Sequence, residues 1–97
     1  MSALFISRVT IKDQAKFQEY LRLSKELASK YGAKLLGSGN TPRALSGSHA
    51  PHQLAVVVSF PSMDELDRWH DSEDYQALIP LRQDASDQEI TVYQMAN

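Results

Sequence analysis

The chain has 97 residues, 42% of them apolar and 23% charged, with a net charge of −2, so it is expected to be one small globular domain rather than a disordered segment. It has no cysteine, which excludes a disulfide framework, a thiolate zinc site, an iron–sulfur cluster and a cysteine nucleophile. The basic and acidic residues are unevenly spread: residues 1–43 hold eight Lys/Arg against three acids, and residues 44–97 hold two Arg against nine acids.

Ala3–Ile11 reads as a strand, with Phe5, Ser7, Val9 and Ile11 on one face and Leu4, Ile6, Arg8 and Thr10 on the other. Both faces are largely apolar, so both are expected to be covered. Asp13 is a helix N-cap, and helical spacing runs from Gln14 to about Lys30. The inward stripe is Phe17, Tyr20, Leu21, Leu27, Ala28 and Tyr31, and Arg22–Glu26 and Glu26–Lys30 stand at ion-pair spacing on the wet side. Tyr31-Gly32 stops the helix.

Ala33–Gly37 reads as a second strand, followed by a long hairpin arm from Gly37 to Gln53, rich in Gly, Ser, Pro and His, with a mobile tip. Leu54–Phe60 is a continuous β-prone run. Ser62 and Glu65 form a capping box opening a helix with Met63, Leu66, Trp69 and His70 on one side. A second start at Asp71-Ser72 begins a piece containing Tyr75, Leu78 and Ile79, which Pro80 is expected to break or kink. Glu89–Met95 is the last strand. The order βαββαβ predicts an α+β, ferredoxin-like fold: a four-stranded antiparallel sheet with the helices on one face. Its other face is apolar and needs a cover, for which a second copy of the same sheet is the simplest candidate.

The segments Val9-x-x-x-Asp13-x-x-x-Phe17-x-x-Tyr20 and Tyr31-Gly32, then Phe60-Pro61-Ser62, Trp69-His70-x-Ser72-x-x-Tyr75-Gln76 and Pro80-Leu81-Arg82, resemble the family known as domain of unknown function thirteen-thirty. The resemblance covers nearly the whole chain. It implies a ferredoxin-like monomer paired sheet to sheet in a dimeric α/β barrel, a fold shared with small monooxygenases and isomerases. Two positions depart from the family pattern: His70 stands where a Tyr is usual, and Ser59 where an acid is usual.

Several residues are candidates for chemistry. His70, beside Trp69, has the imidazole of a general base near neutral pH; the competing reading is a half-buried histidine at a helix end. Tyr75 and Arg82 are candidate donors for the same site, Tyr75 being alternatively a buried packing tyrosine. Arg8, Ser59 and Trp69 are candidate substrate contacts. Arg8 would hold a carboxylate through its guanidinium, or pair with an acid of a partner subunit, and Trp69 is most simply a core anchor. His49 and His52 lie three apart in the arm without a nearby acid, and read as loop residues rather than metal ligands. No serine has a nucleophile-elbow context, and Gly37-Ser38-Gly39-Asn40 is not a phosphate loop.

The functional expectation is a dimer that binds or converts a small organic molecule, by proton transfer or oxygenation, with no cofactor and no metal. The alternative is a non-catalytic dimeric scaffold or small-molecule sensor, and the residues leave open whether the chain is an enzyme. Nucleic-acid binding is disfavoured, because the basic half lacks a clustered Arg/aromatic surface. No apolar run approaches the ~20 residues needed to span a bilayer, and the opening residues lack a basic n-region, so a cytoplasmic location is expected by default.

Overall fold

The computed structural model describes residues 1–96. Its elements run β1 (Ala3–Ile11), α1 (Gln14–Ser29), β2 (Lys34–Asn40), β3 (Leu54–Phe60), α2 (Met63–Asp71), α3 (Glu73–Gln76), α4 (Ile79–Ala85) and β4 (Ser86–Gln94). The four strands form one sheet in the order β2-β3-β1-β4, with every neighbouring pair antiparallel. This is the ferredoxin-like α+β arrangement that the element order predicts.

Register assigns the two sheet faces. Ala3, Phe5, Ser7 and Val9 are buried, and they sit opposite Phe60, Val58, Val56 and Leu54. That face carries the helices; its core includes Phe17, Tyr20, Leu27 and Ala28 of α1, Leu66 and Trp69 of α2, and Tyr75 of α3. The alternate residues Leu4, Ile6 and Arg8 face the other way, beside Ser59, Val57 and Ala55 on β3 and Tyr93, Thr91 and Glu89 on β4. Among the described residues no helix or second sheet covers this face; only the arm between β2 and β3 reaches it, at Arg8. The molecule is accordingly a slab, with extents of 34 × 31 × 17 Å.

Local chemistry sets the element ends. The Asp13 carboxylate accepts from Lys16 N at 3.0 Å, and the Ser62 hydroxyl accepts from Glu65 N at 3.1 Å. Both satisfy amide groups that a helix start leaves without partners. Gly32 ends α1 with φ of 80°, and a Cβ there would lie 2.6 Å from Pro61 Cγ. Glycine is therefore required twice, for backbone handedness and for room under Pro61. The Tyr-Gly and Phe-Pro segments thus meet in space.

Four expectations need correction. Pro80 does not break a helix; it stands in the first turn of α4, where its missing N–H costs no hydrogen bond and its fixed φ suits the helix. The second strand is longer than Ala33–Gly37, running from Lys34 to Asn40 at the edge of the sheet, with a register shift between Leu35 and Gly37 and with Leu35 and Leu36 exposed. The last strand starts at Ser86 rather than Glu89, because α4 leads directly into it. Neither Arg22–Glu26 nor Glu26–Lys30 closes as an ion pair; instead Lys12, just before α1, reaches Asp87 at 3.5 Å and Lys16, in its first turn, reaches Asp84 at 4.0 Å.

Candidate functional site

The helix-side core holds a run of polar atoms where apolar contacts would be expected. Ser72 ends α2 and begins α3: its hydroxyl donates to Trp69 O at 2.7 Å and accepts from Tyr75 N at 3.1 Å. This double cap turns the chain so that Tyr75 enters the core, where it is fully buried. Its ring packs on Trp69, with centroids 4.3 Å apart, and Trp69 also meets Phe5 at 5.6 Å and Phe60 at 5.2 Å.

A phenol hydroxyl taken out of water needs partners. Tyr75 Oη lies 2.7 Å from Tyr20 Oη, and Arg82 Nη1 donates to it at 2.9 Å. Because a guanidinium only donates, Tyr75 Oη accepts that bond, and its own proton is free for Tyr20 or for a ligand oxygen. Burial raises the Tyr20 pKa far above the usual phenol range, assisted by the neighbouring Tyr75 and only partly opposed by Arg82 and Ser24. Tyr20 therefore stays a neutral phenol at physiological pH, able to donate a hydrogen bond and unable to serve as a base. Trp69 Nε1 is buried with no hydrogen-bond partner, a donor left open beside this cluster.

His70 follows Trp69 at the rim. Its side chain is 44% exposed, its ring centroid lies 5.3 Å from that of Tyr75, and Nδ1 is 3.4 Å from Asp71 Oδ1. Gln76 Nε2 donates to the His70 carbonyl at 2.7 Å, tying the rim to α3.

The structure thus brings together His70, Trp69, Tyr75 and Arg82. It does not bring Arg8 or Ser59 to them: both belong to strand positions whose side chains face the uncovered side of the sheet, with Ser59 opposite Leu4 and Arg8 opposite Ala55. His70 and Arg8 do not share a pocket. Tyr20 is a member of the cluster that periodicity identified only as a core position. The signal available was its hydroxyl, since a tyrosine in an otherwise apolar stripe must find a polar partner when buried. The sequence also gave no reason to group Arg8 with the arm. Yet Arg8 lines a cleft of about 440 Å³ together with Arg43, His49 and His52. A second, wider cleft of about 630 Å³ lies over the acidic face of α2, at Asp64, Glu65, Asp67 and Asp71. Among the described residues no group of three or more His, Cys, Asp or Glu is arranged to hold a metal ion, and no helix is long and apolar enough to cross a membrane.

The sheet order and the helices on one face define a ferredoxin-like α+β fold. The chain belongs to the family described as domain of unknown function (DUF1330), whose pattern matches residues 2–95. No curated protein matches the sequence. Solved structures with the same fold include the RPA0582 protein of unknown function from Rhodopseudomonas palustris, at 16% identity and a TM-score of 0.81, covering 99% of this chain and 83% of that one. A dimeric ferredoxin-like protein of unknown function from Thermobifida fusca aligns at 16% identity and a TM-score of 0.64, over 98% of this chain and 92% of that one. SnoaB, a cofactor-independent oxygenase from Streptomyces nogalater, aligns at 9% identity and a TM-score of 0.71, over 99% and 94% of the two chains. At these identities the likeness is one of fold.

Proposed function

We propose that the chain acts as a homodimer, joined through the uncovered sheet face, that binds a small apolar or aromatic organic molecule at the His70 rim and converts it without a cofactor. The observation that carries this reading is the hydrogen-bonded series Arg82–Tyr75–Tyr20, its two phenols buried in the helix-side core, its guanidinium half-buried, and the His70 imidazole beside it. A core that needed only packing would not require a guanidinium and two phenols in contact. His70 meets solvent, so it can take a proton from a bound molecule and return it to water. Arg82 and Tyr75 donate toward the oxygen on which negative charge then develops, and the neutral Tyr20 holds Tyr75 in place. The chemistry is proton transfer, with oxygenation of the resulting anion by dioxygen as the natural extension. The cofactor-independent oxygenase with the same fold supports the class of reaction by analogy only.

The test is a thermal-shift screen of small aromatic and apolar acids, ketones and phenols, comparing wild type with His70→Ala. A ligand that binds only the native state contributes about 2.7 kcal/mol at a hundredfold excess over its Kd, which is a shift of roughly ten degrees or more for a domain of this size. The expected result is a compound that raises the melting temperature of wild type and is turned over by it, with both effects lost in His70→Ala while the variant stays folded. Turnover unchanged in His70→Ala would remove the base assignment. An empty screen would favour the non-catalytic scaffold, a reading that the close packing of Tyr75 on Trp69 also suits.

A further inference from the structure

The second basic feature lies on the opposite side of the sheet from the His70 cluster, and the helix-side chemistry makes no use of it. Arg8 sits mid-strand on β1, where a charge is costly unless it is paired. Glu89 stands directly opposite it on β4, yet Arg8 makes no ion pair or side-chain hydrogen bond among the described residues. The arm between β2 and β3 comes to it instead. Gln53 N donates to Val9 O at 2.8 Å, and Ile11 N donates to the Gln53 side-chain oxygen at 2.6 Å, so the return of the arm is stapled to β1 next to Arg8. The arm leaves β2 through Thr41, whose φ of 54° is unusual for a β-branched residue and turns the chain sharply.

The result is a cleft of about 440 Å³ whose polar lining is two arginines and two histidines, Arg8, Arg43, His49 and His52, with no acid among the lining residues. Pro42 and Pro51 contribute apolar walls. Each histidine spends one ring nitrogen on a carbonyl of the arm: His49 Nε2 on Ser46 O at 3.2 Å, and His52 Nδ1 on Ala50 O at 2.8 Å. A carbonyl only accepts, so those nitrogens carry the proton, and His49 Nδ1 and His52 Nε2 remain available. Arg43 makes no ion pair among the described residues.

We infer that this cleft is a binding site for a small organic carboxylate, held by the guanidinium groups of Arg8 and Arg43 with its apolar body against the prolines. An arginine fork matches a carboxylate with two parallel hydrogen bonds. The volume lies within the range of small-molecule sites, and apolar walls with a few converging polar groups are their usual composition. The site is separate from the His70 cluster, since the sheet lies between them, and it occupies the polar half of the face through which the dimer is proposed to form.

The experiment is an NMR titration of the isotope-labelled full chain with benzoate, using neutral benzamide and inorganic phosphate as controls. Benzoate is expected to move the amide signals of Arg8 and of residues 42–52, and benzamide to leave them in place. Arg43→Gln, an exposed position with no structural partner among the described residues, and Arg8→Gln are each expected to weaken benzoate at least tenfold, the loss of one charge-assisted hydrogen bond. His70→Ala is expected to bind benzoate unchanged. Benzoate affinity unaltered by both arginine variants would overturn the site, as would shifts confined to the surroundings of His70. Phosphate binding as tightly as benzoate would overturn the carboxylate assignment. A dimer that falls apart in Arg8→Gln, with no benzoate response in wild type, would assign Arg8 to an acid of the second subunit instead.

Discussion

Two phenol oxygens 2.7 Å apart inside a core cannot both be satisfied by apolar neighbours, and the Arg82 guanidinium completes the set. The protonation of Tyr20 is consequently coupled to folding. Its folded-state pKa lies above the unfolded value of 10.0, so the contribution to stability is fully present below pH 10. Above that pH the unfolded chain releases a proton that the folded chain keeps, and stability falls by about 1.36 kcal/mol per pH unit for this one group. Other tyrosines and lysines titrate in the same range, so the informative quantity is a difference. Tyr20→Phe is expected to lose less stability than wild type between pH 10 and 11 in chemical denaturation, by roughly the slope of one proton. Parallel pH curves for the two proteins would show that Tyr20 ionises as freely when folded as when unfolded.

At the scale of the element, short helical pieces in series depend on their caps, because each piece has too few residues to stand alone. Ser72 terminates α2 and starts α3 with a single hydroxyl, and so holds both Trp69 and Tyr75 in register. Ser62 has one such role, at the start of α2. Ser62→Ala is expected to cost about 1 kcal/mol. Ser72→Ala is expected to cost about twice that, since it loses a cap and a donor to a backbone carbonyl together. Urea midpoints of the two variants measure this, and equal losses would mean that one of the two Ser72 bonds contributes nothing. The same segment explains the misplaced break at Pro80. A proline interrupts a helix that precedes it and favours one that it begins, and only the turn at Ala77–Leu78 decides between them.

At the scale of the whole molecule, the chain exposes 6308 Å², against roughly 5600 Å² for a compact monomer of its mass. A slab shape and the exposed arm between β2 and β3 both add to this area. On the sheet face away from the helices, Leu4, Ile6, Val57 and Tyr93 make an apolar half, while Arg8, Glu89 and the arm make a polar one. Apolar sheet faces of this kind are covered in stable proteins. Wild type is expected to run as a dimer in light-scattering chromatography, and Ile6→Asp, which puts a charge at the centre of the apolar half, to run at half that mass while keeping its far-UV spectrum. A monomeric wild type, or a variant that stays dimeric, would move the interface away from this face.

The residues by themselves determined the element order, the caps at Asp13 and Ser62, the stop at Gly32, the alternation in β1 and the apolarity of the second sheet face. These are local properties: period, propensity and capping act over a few residues, and a reader of the chain has them all. The membership of Tyr75, Arg82, His70 and Trp69 in one neighbourhood was legible because α2, α3 and α4 follow one another in sequence. Tyr20, 55 positions from Tyr75, joins them only because α1 and α3 pack on the same sheet face. The separation of Arg8 and Ser59 from His70 came from strand register, which a shift of one residue would have inverted. The gathering of Arg43, His49 and His52 around Arg8 was decided by the path of an arm that carries no periodicity. Those arrangements depend on long-range closure, and only the folded chain specifies them.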